Sequence, residues 1–198
     1  MQPYYEEDGI TIYHGDCREV LPALPKAGLV LTDPPYGLDM AAKPFRSRFA
    51  RAGWDSAPAT PELLDLVRSK GDVQIIWGGN YYMLPPKQCF LVWDKQQPED
   101  FSSAMCEIAW TSLDQAAKMF RCWALSYERF HPTQKPEALM RWCLKFAEGD
   151  VLDPFMGVGT TLRAAKDLGR RAIGIEIEEK YCEIAAKRLS QQVLAFGD

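Results

Sequence analysis

Asp33, Pro34, Pro35 and Tyr36 follow directly on the apolar run Leu29 to Thr32. Proline cannot donate to a sheet ladder and fixes its own φ, so the run reads as a buried strand that ends in a stiff turn. A carboxylate, a proline carbonyl and an aromatic face are then held together at a strand's carboxyl end, where open α/β sheets place their ligands. The carboxylate and the carbonyl are two acceptors for a neutral –NH2 group, and the Tyr36 ring is a surface on which a planar ring can stack. The chemistry such a group of residues serves is recognition of a planar amine.

A second constellation lies near the other end of the chain. Asp153, Pro154, Phe155, Gly157, Gly159, Thr160 and Thr161 follow the short apolar run Val151-Leu152 and lead into a helical pattern that reaches Leu168 and stops at Gly169. Strand, glycine loop and helix open a nucleotide-binding βαβ unit, because glycines let the backbone approach a ligand closely. The next strand, Arg171 to Ile175, ends in Glu176, about 20 residues after the loop, where such units place an acid on ribose hydroxyls. Leu162 stands where the dinucleotide fingerprint needs its third glycine, which disfavours a nicotinamide enzyme. Asp16 and Cys17 follow a further strand, Ile10 to His14, and Asp16 also suits a helix N-cap.

These residues resemble the S-adenosylmethionine-dependent amino-methyltransferases of DNA, the N6-adenine and N4-cytosine enzymes. Asp33-Pro34-Pro35-Tyr36 is similar to their catalytic motif, and the Asp153 to Thr161 loop to their cofactor loop. His131-Pro132-Thr133-Gln134-Lys135-Pro136, which leads into a helix over Glu137 to Ala147, is similar to the motif that wraps the methionine end of the cofactor. The hexapeptide has a purely structural use as well, with Thr133 as cap and Pro136 in the first turn. The catalytic motif precedes the cofactor loop, as in the permuted beta group of the family.

The resemblance implies a Rossmann-like α/β fold over 1–198 as a single methyltransferase domain: a mostly parallel twisted sheet with helices on both faces, circularly permuted. The strand before Asp16 then continues the sheet beyond the strand that ends in Glu176. S-adenosylmethionine is the implied cofactor, contacted by Asp16, Cys17, Asp33, His131, Thr133, Lys135, Asp153, Phe155, Gly157, Gly159, Thr160, Thr161 and Glu176. Within that set Asp16 accepts from the adenine amine, Phe155 lies against the adenine or methionine part, and Lys135 and Thr133 meet the methionine carboxylate. Asp33, Pro34, Pro35 and Tyr36 are the implied catalytic residues, acting on the exocyclic amine of a flipped-out base in double-stranded DNA. The Asp form of the motif leans to adenine N6, because Ser in that position is commoner among cytosine enzymes. The alternatives are N4-cytosine methylation and a non-catalytic cofactor-binding subunit. No cysteine follows a proline, so the thiolate that carbon-5 methylation uses is missing.

Composition sets the frame for these motifs. With 198 residues, 47% of them hydrophobic and 25% charged, the chain can bury a full core without disulfides or metals. Its six cysteines form no Cys-x-x-Cys pair and only two histidines accompany them, so no metal site is expected. Neither a membrane span nor a signal peptide is legible, and a cytoplasmic protein of a bacterium or a phage-infected cell is expected. A net charge of −4 argues against coating nucleic acid non-specifically. Cations cluster locally, however: Lys43, Arg46, Arg48 and Arg51 alternate with aromatics just after the catalytic turn. DNA-contacting loops are therefore expected at 38–60 and 111–130. The second is short for reading a target, which points to a relaxed recognition sequence or to a homodimer that shares its DNA contacts.

Overall fold

A computed structural model describes residues 2–37, 57–100, 104–123 and 134–191. The apolar runs of the sequence become strands of one sheet: β1 (Tyr5–Glu7), β2 (Ile10–His14), β3 (Ala27–Thr32), β4 (Gly71–Trp77), β5 (Phe90–Asp94), β6 (Cys106–Thr111), β7 (Lys118–Arg121), β8 (Val151–Asp153) and β9 (Ala172–Glu176). Their spatial order is β1-β2-β9-β8-β3-β4-β6-β5-β7. From β2 to β4 all pairings are parallel, β6 is antiparallel to both of its neighbours, and β1 closes the far edge as a hairpin with β2. The first long strand in the sequence thus pairs with the last, Ile10 to His14 lying beside Ala172 to Glu176, as the permuted order implies.

Both faces of the sheet are covered, so the central strands are buried on both sides and read as continuous apolar runs rather than alternating ones. In β3 every side chain except Gly28 is buried. Leu29 and Leu31 point into the larger core with Ile75, Leu139, Leu162 and Ala185, and Val30 points into the other with Val20, Val67 and Ile175. The helices α3 (Glu137–Leu144), α4 (Thr160–Asp167) and α5 (Glu179–Leu189) supply the first core, while α1 (Cys17–Val20) and α2 (Pro61–Ser69) supply the second.

Lys70 is the C-cap of α2, and Gly71 opens β4, where a side chain would strike the backbone of Val30 and Val73. Some expectations shift. Helix α3 ends at Leu144 rather than near Ala147, and Pro136 is its N-cap. The segment expected as a DNA-contacting loop at 111–130 contains β7, which pairs with β5 at the sheet edge. Lys43, Arg46, Arg48 and Arg51 fall outside the described residues, as do His131 and Thr133.

Candidate active site

Four acids leave four neighbouring strands at the same edge of the sheet. In spatial order they are Asp16 after β2, Glu176 at the end of β9, Asp153 at the end of β8 and Asp33 after β3. All four line one cavity of about 240 Å³, together with Cys17, Lys135, Phe155, Gly157, Thr160 and Thr161. Residues from the two constellations and from the hexapeptide therefore meet in one place. Pro35 also lines the cavity, whereas Gly159 stands outside its lining.

The glycine loop is built from within. Asp153 Oδ1 accepts from Thr32 Oγ1 at 2.7 Å and from the Phe155 amide at 3.2 Å, so this buried carboxylate ties the end of β3 to the loop. Burial pushes its carboxyl up to about 6, against the hydrogen bonds from Thr161 and Thr32. Gly159 has φ 74 as the N-cap of α4, and a Cβ there would meet Ala185 of α5 at 3.0 Å; its service is close helix packing. Gly157 differs, since a Cβ on it would meet no protein atom within 4 Å, so the loop leaves room beside it. Glu176 Oε2 accepts from the Gly157 amide at 3.0 Å and Oε1 from the Glu178 amide at 2.8 Å. Burial raises this carboxyl to about 7 despite those two bonds. At the opposite end Asp16 is the N-cap of α1, accepting from the Arg18 amide at 2.9 Å, and the Arg18 side chain lowers its pKa. Burial holds the Cys17 thiol un-ionised, at about 12.

The Asp33–Tyr36 turn is the most densely bonded part. Asp33 Oδ1 accepts from the Tyr36 hydroxyl. Asp33 Oδ2 accepts from Lys135 Nζ at 2.5 Å, and Lys135 also donates to the Tyr36 hydroxyl at 3.2 Å. Lys135 is only 5% exposed and makes a second ion pair, with Glu107 of β6 at 3.0 Å, while Glu107 in turn pairs with Lys95 at 2.6 Å. Burial disfavours every charge in this chain. The alternation of signs nevertheless holds the Lys135 ammonium above its ordinary range, and Lys135 and Lys95 bring the Glu107 carboxyl down to about 2. Asp33 itself is raised by burial and by Glu107, with Lys135 opposing.

Two further tyrosines attend the turn. The Tyr82 hydroxyl donates to the Pro34 carbonyl at 2.8 Å and to the Pro35 carbonyl at 3.1 Å. The Tyr81 ring stacks on Tyr36 with centroids 4.8 Å apart and planes 19° from parallel. Gly78 makes room for this arrangement, since a Cβ there would lie 2.1 Å from the Tyr36 ring.

The DNA methylase family of N6/N4 type matches residues 87–187, just over half of the chain. The chain belongs to this family. Over 91% of its length it is 28% identical to the type II methyltransferase M.HinfI of Haemophilus influenzae, of which the alignment covers 68%. The crystal structure of the M1.HpyAVI–SAM complex superposes with a TM-score of 0.62 at 25% identity, covering 92% of this chain and all of that one. The cytosine-N4-specific PvuII DNA methyltransferase shares the fold, with a TM-score of 0.68 at 16% identity over 98% of this chain and 91% of that one.

Within this DNA methylase, sequence reasoning missed Glu107, Lys95, Tyr81 and Tyr82. An acid inside the apolar strand Cys106 to Thr111 was the legible signal for Glu107. Tyr81 and Tyr82 belong to the stretch Gly78 to Tyr82, which by sequence resembles the methyltransferases and equally reads as an ordinary tight turn, so neither was singled out. Lys135 was expected beside the cofactor's carboxylate, but its ammonium lies between Asp33, Tyr36 and Glu107.

Proposed function

We propose that the chain transfers a methyl group from S-adenosylmethionine to the exocyclic amine of a base flipped out of double-stranded DNA, and that this base is adenine. The observation that carries the reading is the convergence of Asp33 and Pro35 with the glycine loop and Glu176 on one cavity, with Tyr36 hydrogen-bonded to Asp33 beside it. The cavity suits the cofactor: the room beside Gly157 admits a close ligand, and Glu176, still with lone pairs to offer, suits ribose hydroxyls. Asp16 would take the adenine amine and Phe155 would pack against the nucleoside or methionine part. When bound, S-adenosylmethionine supplies an electrophilic sulfonium methyl.

The chain's own residues deal with a weak nucleophile, an amine whose lone pair is delocalised into its ring. The Asp33 carboxylate and the Pro34 carbonyl accept its two N–H groups, which favours a pyramidal nitrogen with a localised lone pair. Tyr36 stacks on the base and offsets part of the cost of unstacking it. Asp33 Oδ1, once the Tyr36 hydroxyl yields it, is the acceptor for the proton the nitrogen sheds. Holding both substrates in attack geometry supplies much of the remaining rate. The loops at 38–60 and 111–130 are proposed to contact the DNA.

The test is mass spectrometry of nucleosides from unmethylated DNA incubated with the protein and S-adenosylmethionine. N6-methyladenine is the expected product. N4-methylcytosine would keep the chemistry and overturn the base, and absence of any methylated base would overturn the function.

A further inference from the structure

Lys135 belongs by sequence to the stretch that resembles a cofactor motif, yet its charge lies elsewhere. Its ammonium hydrogen-bonds Asp33 Oδ2 and the Tyr36 hydroxyl and is ion-paired with Glu107 Oε2. Two of the ammonium's contacts are hydrogen bonds, and Glu107 Oε2 stands 3.0 Å away as an ion-pair partner. A lysine this deeply buried keeps its charge only because carboxylates stand on two sides of it. Removing either carboxylate changes the balance at the other, which is how a residue remote from a ligand can act on it.

We propose that Lys135 serves the target amine rather than the cofactor: seated on Glu107, it is a positioning residue that orients Asp33 and balances its charge. The proposal rests on the function stated above. The geometry gives each partner a distinct task. Lys135 holds Oδ2 and thereby turns Oδ1 toward Tyr36 and the place where the base stacks. Glu107 holds Lys135 from the β6 side, and Lys95 in turn holds Glu107. Among the described residues the Trp77 ring from β4 also faces this cluster, 6.0 Å from Lys135 Nζ, and Asp33 acts through space to raise the Asp153 carboxyl of β8. Tyr82 touches the turn through the proline carbonyls and leaves Asp33 to Tyr36 and Lys135.

The two variants Lys135→Met and Glu107→Gln have opposite signatures. Loss of Lys135 removes the cation that lowers the Asp33 pKa and leaves Glu107, which raises it. Loss of the Glu107 charge removes that upward influence and leaves Lys135 to Asp33 alone. Titration of the Asp33 carboxyl carbon by NMR in the protein alone is therefore expected to move up in pH for Lys135→Met and down for Glu107→Gln. In methyl transfer, Lys135→Met is expected to lower kcat by about 100-fold, the scale of a displaced acid–base group. Its S-adenosylmethionine Kd, read by calorimetry, is expected to change by less than about threefold, since no contact with the cofactor is lost on this reading.

A Kd weakened by about tenfold or more with kcat at saturation unchanged would return Lys135 to the cofactor and overturn the proposal. Shifts of Asp33 in the same direction for both variants would overturn it as well, by reducing the cluster to packing. Circular dichroism reports whether Lys135→Met folds, and if it does not, the downward shift in Glu107→Gln decides alone. Wild-type protein that methylates no DNA would overturn the proposed function, while the NMR titrations would still show whether Lys135 governs Asp33.

Discussion

Asp33 has no idle oxygen: one accepts from the Tyr36 hydroxyl and the other from Lys135. On the proposed function an incoming amine takes the place of the Tyr36 hydroxyl, which separates two uses of one side chain, a ring that stacks and a hydroxyl that stands in for the amine. Tyr36→Phe keeps the ring and frees Oδ1, so its transfer rate is expected within about tenfold of wild type. Tyr36→Ala and Asp33→Ala are expected to lose 100-fold or more, the usual scale for a removed positioned acceptor, with cofactor binding largely kept. Initial rates of labelled methyl transfer, paired with calorimetry for S-adenosylmethionine, check this; a Tyr36→Phe variant as dead as Tyr36→Ala would show that the hydroxyl itself is required. Glu176 carries the complementary prediction for the cofactor side. Burial raises its carboxyl from about 4.5 to about 7, so the folded protein binds this proton more tightly than the unfolded chain does. The stabilisation is complete below about pH 4.5 and is lost as pH rises through about 7. Glu176→Gln, which cannot ionise, is thus expected to stabilise the unliganded protein by on the order of 1–3 kcal/mol at pH 8 but not at pH 4, seen as a higher Tm at pH 8 alone. The same variant is expected to weaken S-adenosylmethionine binding. Melting curves at the two pH values check the first half, and a gain equal at both would refute the linkage.

Helices and strands make this chemistry possible by deciding which residues are neighbours, and the Gly78–Tyr82 turn after β4 is the clearest case. Tyr82 binds both proline carbonyls and straps the catalytic turn to the end of the adjacent strand. Tyr82→Phe removes hydrogen bonds worth about 1 kcal/mol net, and for a domain of this size that corresponds to a Tm lower by about 2–4 °C. A melting curve unchanged from wild type would mean the strap contributes nothing to the fold. The strap was not legible in the sequence, and the reason is physical: Tyr82 meets Pro34 only because β4 lies beside β3, and a lone turn pattern carries no information on pairing. The acid of Glu107 inside an apolar strand was legible, but its partner was hidden for the same reason, since β6 runs back between β4 and β5 and brings that acid to a lysine in a loop. What was legible were features encoded locally. The apolar runs of β3 and β8 are buried on both faces and show as continuous hydrophobic stretches, while β2 shows an alternating one. The glycine loop and Glu176 follow from one contiguous βαβ unit. The missed strand β1 also had a local signal: Asp8 and Gly9, with φ 50 and 76, make the two-residue turn that joins it to β2. β7 had none, because Lys118 to Arg121 is a polar edge strand whose pairing with β5 gives it its form.

For the molecule as a whole the question is how a chain of net charge −4 holds a polyanion. The described residues give part of the answer. Tyr36 is bridged to Pro58, and the Ala59 amide donates to the Pro35 carbonyl at 3.1 Å. Lys43, Arg46, Arg48 and Arg51 lie in sequence between the partners of these two contacts, outside the described residues. On the proposed function, four cations in the stretch that follows Tyr36 in sequence suit DNA phosphates, whereas the rest of the chain is left net acidic and discourages binding elsewhere. Replacing all four by Ser is expected to weaken DNA binding and to reduce the slope of log K against log salt by about 3–4, since each neutralised phosphate contributes about 0.9 in duplex DNA. The S-adenosylmethionine Kd should stay as it is, because the cofactor cavity is lined from the other strands. Binding isotherms between about 50 and 200 mM salt measure the slope directly. A slope unchanged in the quadruple variant would move the phosphate contacts off this segment, and the basic residues of β7, Lys118 and Arg121, would be the next place to look.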